Sequence, residues 1–146
     1  VPAVDIINGI WTVLMTNSAF LTSLGLNPGT ATTEQKSKKL QKEKEPEGLA
    51  TQNIPLGCIY PVPGLKKRWN YTIYEAEFQI DFYAATLFAA MSSGKIAQNL
   101  LNNTTPTIPG GFVFECEFLD DFAGASEIVG IKKYSQRYMI NDIVVK

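Results

Sequence analysis

Between residues 4 and 24 the apolar side chains Ile6, Ile7, Ile10, Trp11 and Leu14 recur at three- and four-residue steps, the spacing of a helix with one apolar face. Gly9 weakens that helix slightly, since an interior glycine costs about 1 kcal/mol against alanine. Asn17-Ser18 is placed to interrupt and recap the chain, and a short second helix over 19–24 ends at Gly25. Downstream the period changes to two. Residues 54–63 (IPLGCIYPVP) read as a short strand whose three prolines suit a sheet edge or a strand end. Residues 70–83 predict a half-solvated antiparallel strand: Tyr74, Ala76, Phe78, Ile80 and Phe82 point one way, Glu75, Glu77, Gln79 and Asp81 the other. Residues 86–101 return to helical spacing through Leu87, Ala90, Met91, Ile96, Ala97, Leu100 and Leu101, with Ser92-Ser93-Gly94 as a soft middle. After a turn-rich loop over 102–111, residues 111–122 alternate again, with Phe112, Phe114, Cys116 and Phe118 predicted on one face. Residues 128–145 are apolar and β-branched and hold one strand, or two separated near Asn141-Asp142. The fold class is α+β: a mostly antiparallel sheet with two helices packed on one face.

One segment stands outside these periods. Residues 34–47 (EQKSKKLQKEKEPE) contain five lysines, four glutamates and Leu40 as the only large apolar residue. Such a stretch cannot by itself bury enough area to offset its ordering entropy. It is either a solvated loop or frayed helix, or an arm that orders against a neighbouring subunit. The whole chain, 1–146, is thus expected to be one domain in which 28–53 forms an extended charged loop or arm.

Composition narrows the chemistry. The chain has no histidine, which removes the commonest general base and metal ligand and the Ser-His and Cys-His nucleophile pairs. Thirteen basic residues against fourteen acidic ones give a net charge of −1, so no global field draws it to nucleic acid or an anionic membrane. No run approaches the roughly 18 apolar residues of a membrane span, and no leader pattern opens the chain; a protein made in the cytoplasm, without membrane contact, is expected. The N-x-S/T triplets at Asn70, Asn102 and Asn103 are then chance matches.

The acid pairs Glu75/Glu77 and Glu115/Glu117 invite a carboxylate-dyad or divalent-metal reading. Each sits at i, i+2 on the polar face of a strand, where acids merely solvate a sheet, and no third acid converges on them. Asp120-Asp121 reads as turn chemistry. Cys116 shares parity with three phenylalanines and reads as a core thiol. Cys58 lies in the proline-rich strand, and a Cys58–Cys116 bridge stays open. The glycine pairs lack a strand–loop–helix phosphate frame. No catalytic, cofactor or metal residues are assigned.

Three basic spots could make contacts: Lys36, Lys38, Lys39 and Lys42 of the charged segment; the turn Lys66-Lys67-Arg68 beside Trp69 and Tyr71, which could stack bases; and Lys132-Lys133 with Arg137. Sixteen aromatic residues exceed what one sheet face and two helices need to cover, so some are expected to stay exposed as a protein–protein surface.

The full-length layout resembles one family. An amphipathic helix, the turn LTSLGL, a strand ending in prolines, the strand YEAEFQIDFYA, the helix KIAQNLLNN, a strand ending EFLDDFAG and the final strand GIKKYSQRYMI are together similar to the tail terminator (tail completion) proteins of long-tailed bacteriophages. The 34–47 segment is longer than the usual connection in that family. The resemblance implies a small α+β domain in a hexameric ring that caps the phage tail tube and joins it to the head-side connector protein. It also implies a place in the virion neck, no enzyme activity, no cofactor, and DNA passing through the lumen without specific binding. On that analogy residues 34–47, Lys66 to Trp69 and Lys132-Lys133 are the contact elements. Head-closure and adaptor proteins of the neck are alternatives of similar size. A small nucleic-acid-binding module using the Lys66–Tyr71 turn is a further one.

Overall fold

The computed structural model describes residues 3–62, 73–107, 111–126 and 128–144. Helices α1 (Ala3–Met15), α2 (Ser18–Ser23) and α3 (Thr33–Lys39) come first. They are followed by strands β1 (Leu40–Gln41), β2 (Leu56–Pro61) and β3 (Ile73–Ala84), helix α4 (Leu87–Leu101), and strands β4 (Gly111–Ala125) and β5 (Lys132–Val144). The five strands form one sheet in the order β1-β2-β3-β5-β4, antiparallel throughout except for the short parallel pair β1–β2. The α+β class and the mostly antiparallel sheet agree with the sequence pattern.

The break between α1 and α2 falls where polar caps can act. Asn17 accepts a hydrogen bond from the Phe20 amide through its side chain. At the other end Leu26 N–H donates to Leu21 C=O and Gly25 N–H to Thr22 C=O, with Gly25 at φ +79, the left-handed turn that glycine adopts without penalty. Helix α4 starts at Thr86, whose side chain accepts from the Ala89 amide.

α1, α2 and α4 cover one face of the sheet. Ile6, Ile10 and Leu14 of α1, Phe20 of α2 and Ala90, Ala97 and Leu101 of α4 share a single buried core with Ile59, Phe78, Ile80, Phe82, Tyr138 and Ile140 of the strands. The alternation of Ala76, Phe78, Ile80 and Phe82 toward that core is as the two-residue period predicts; Tyr74 lies where side chains are outside the described set. Over 111–118 the pairing is not uniform. Register shifts fall between Val113 and Glu115 and between Phe118 and Asp120; Cys116 and Phe118 face the core as expected, while the side chains of Phe112 and Phe114 lie outside the described set.

The other face of the sheet corrects an expectation. It was predicted to be solvated, but only part of it is: Glu77 is exposed, whereas Asp81 is fully buried. Leu56, Cys58, Tyr60, Tyr83 and Ile131 make a second small core there, onto which Leu49 and Ile54 pack. The chain after β1 thereby shields one end of this face.

Part of the charged segment, α3 and β1, is ordered against its own chain, while 42–54 is loop. Thr32 and Gln35 form a reciprocal capping box at the start of α3. Leu40 is fully buried and pairs with Gly57, which brings β1 onto β2. The lone leucine of a polar run is what docks the segment, because its burial contributes ~2 kcal/mol that the lysines around it cannot.

Candidate interaction surface

The sequence-predicted contact lysines divide into two groups by what they touch. On α3, Lys38 is exposed and faces Glu34 one turn earlier at 3.6 Å, a solvated pair of little energetic weight. Lys39 is spent internally: its ammonium donates to the carbonyls of Asn53 (3.0 Å) and Pro55 (3.1 Å), and partial burial lowers its pKa. Lys42 donates to Asn8 Oδ1 at 2.8 Å and lies 4.7 Å from the Trp11 ring centre. The indole N–H of Trp11 in turn donates to Leu40 C=O at 2.8 Å. Lys39, Lys42 and Trp11 therefore fasten the segment to α1 and to the chain before β2. An open groove of about 1090 Å³ runs beneath it, lined by both signs of charge, Lys38 and Lys42 against Glu34, Glu43 and Glu47. That mixture makes no anion cradle.

Lys133 is likewise committed to its own fold. Asp81 Oδ1 accepts from Ser135 Oγ (2.6 Å) and Gln79 Nε2 (2.8 Å), Oδ2 accepts from Tyr60 Oη (2.7 Å), and the Lys133 ammonium stands 3.6 Å from Oδ2. Every oxygen of this buried acid has partners, which is what makes its burial tolerable. Lys132 remains exposed at the start of β5, three strands away from β1. The two groups of lysines therefore do not converge. Lys66, Lys67, Arg68 and Trp69 lie outside the described residues.

Neither thiol has the environment of a nucleophile. Cys58 and Cys116 are free and buried, on β2 and β4, with β3 and β5 between them, which rules out the bridge left open by the sequence. Burial, aided by Asp81 at Cys58 and by Glu117 and Glu115 at Cys116, pushes both up to about 12. Among the described residues no group of three His, Cys, Asp or Glu side chains could hold a metal ion, and no helix is long and apolar enough to cross a membrane.

What the described surface does offer is exposed apolar side chains and an open strand edge. Phe88, 80% exposed, stands with Leu87 and Met91 on the first turns of α4, and Leu119 and Phe122 are exposed on β4. Among the described residues, Phe20, Phe78, Phe82, Tyr134 and Tyr138 belong to the core. β4 is the outermost strand of the sheet. Its outer side is met at Cys116 by Asn103 and Thr104, and at Phe118 by the side chain of Asn102.

No family model and no curated protein matches this chain. It is similar to a solved structure. A chain from the "virion of native gene transfer agent (GTA) particle" superposes with a TM-score of 0.67 at 14% identity, over 97% of this chain and 96% of that one. The two share their fold from end to end.

Sequence reasoning missed the outer edge of β4 and the burial of Asp81. The acids Glu115, Glu117, Asp120 and Asp121 were in view only as a possible dyad or turn. Nothing in their spacing says that β5 inserts between β3 and β4, which is what makes β4 an edge. Asp120 is paired in a fork with Arg137 (2.9 and 2.6 Å), and this hydrogen-bonded guanidinium holds its carboxyl below the usual range. It is therefore strand pairing, not turn chemistry.

Proposed function

We propose that this chain is a structural virion protein, a tail terminator whose copies form a ring that caps the tail tube and joins it to the head-side connector. The observation that carries the proposal is the end-to-end fold shared with a chain of a gene transfer agent virion. It is joined to the whole-length resemblance of the sequence layout to phage tail terminators. The role needs subunit surfaces and no chemistry. A histidine-free chain with buried thiols and a fully partnered buried acid supports that. A charge balance of −1 suits a lumen through which DNA passes without being held.

Two measurements test the reading. Native mass over a concentration series should give a discrete assembly; six copies of the 16.1 kDa chain amount to about 97 kDa. Labelled protein added to purified tail tubes should appear at one end of each tube by electron microscopy. Binding to the connector alone would instead make it a head-closure or adaptor protein. DNA binding that falls steeply with salt would favour the nucleic-acid module.

A further inference from the structure

We infer that neighbouring copies associate through unlike edges of the sheet, the lysine-bearing α3–β1 edge of one copy against the acidic β4 edge of the next. The strand order β1-β2-β3-β5-β4 makes these the two opposite margins of one sheet. The two margins differ in charge: α3 and β1, residues 33–41, hold three lysines and one acid, with Lys42, Glu43, Lys44, Glu45 and Glu47 mixing both signs in the chain beyond, whereas 111–125 hold four acids and no basic residue. A contact between unlike edges is heterologous: each copy presents one margin of each kind, so association repeats until the rotation closes a ring. Like margins repel, which fixes the direction of assembly.

The groups that would meet are available. Lys39 and Lys42 hold the segment to its own chain, which leaves half-buried Lys36 and exposed Lys38 on α3, the latter in a solvated pair with Glu34 that a stronger partner can exchange. On β4, Asp120 is paired with Arg137 and Asp121 accepts from Tyr134 Oη, while Glu115 and Glu117 have no hydrogen-bond or ion-pair partner among the described residues. The backbone says the same. Beyond Phe118 no described segment pairs with the outer side of β4 as far as Ala125, and Leu119 and Phe122 stand exposed beside it. An uncovered edge of that length invites association unless something blunts or covers it. A second copy supplies both the cover and the opposite charge. A nucleic acid supplies neither, since phosphates are repelled by the four acids.

The inference rests on the ring reading and is tested so that the two can fail separately. Lys36→Glu with Lys38→Glu makes the α3 margin acidic like β4; Glu115→Lys with Glu117→Lys removes the net negative charge of β4, leaving two lysines against Asp120 and Asp121. Lys38 is exposed and Lys36, Glu115 and Glu117 are half-buried, none of them in the Asp81 network, and circular dichroism checks that each variant folds. Native mass over a concentration series should show each paired variant associating at a concentration at least about tenfold higher than the unaltered chain. An equimolar mixture of the two variants, and a single chain carrying all four substitutions, should recover assembly. Paired variants that assemble like the unaltered chain would overturn the edge contact and leave the ring standing. Dissociation without recovery in the mixture or the four-substitution chain would overturn the charge complementarity. An unaltered chain that is monomeric at every concentration would overturn the ring, and this contact with it.

Discussion

Asp81 shows how much a single position can differ from what its neighbours suggest. It continues a run of alternating polar residues, Glu75, Glu77 and Gln79, yet it alone of the described acids is fully buried. Its two oxygens take three hydrogen bonds from β2, β3 and β5 and one ammonium at 3.6 Å, so removing the carboxylate strands two hydroxyls and a partly buried lysine. Asp81→Ala is expected to lower unfolding stability by on the order of 3 kcal/mol, the cost of leaving buried polar partners unpaired. A urea midpoint that barely moves would mean that water replaces the acid. The alternation told which side of β3 Asp81 occupies. It could not tell that the chain over 49–54 folds across that side, because this depends on Leu40 drawing the segment in.

At the scale of elements, helix α4 is positioned by a glycine that sequence reading treats as a weakness. Gly94 lies against β5: a Cβ built there would stand 2.5 Å from Tyr134 Cε2 and 2.9 Å from Gln136 Nε2. Tyr134 cannot readily swing aside, since its hydroxyl donates to Asp121 at 2.6 Å, and Gln136 donates to the Gly94 carbonyl at 2.9 Å. Gly94→Ala should therefore destabilise by about 1–3 kcal/mol through overpacking, against the gain of ~1 kcal/mol that helix propensity alone predicts. Thermal unfolding of the variant reads the sign directly. Helices α1, α2 and α4 were legible because caps and apolar periods are local: Asn17, Gly25 and Thr86 mark their ends, whereas α3 has no apolar period to read. Strand order was not, because the insertion of β5 between β3 and β4 joins residues far apart in sequence.

Over the whole molecule, burial of weak acids makes stability depend on alkaline pH. Cys58, Cys116 and Tyr134 are each pushed up to about 12, from ordinary values of 9.0 for the thiols and 10.0 for the phenol, chiefly by desolvation. Tyr60 and Tyr138 are raised for the same reason. The unfolded chain releases these protons first, so it gains relative to the folded one as pH rises. Their contribution is complete below pH 9 and is lost progressively between about pH 9 and 12; urea midpoints measured across that window should fall steadily, while those at pH 7 and 8 should coincide. A different consequence follows from the way one leucine docks the charged segment. Releasing β1 gives up the ~2 kcal/mol of Leu40 burial together with the hydrogen bonds of Lys39, Lys42 and Trp11, so far fewer than about one molecule in a hundred has the segment detached at any moment. Those molecules display β2 as a second open margin. A neighbour that paired with β2 would therefore have to displace the segment, breaking those bonds itself, instead of waiting for it to leave.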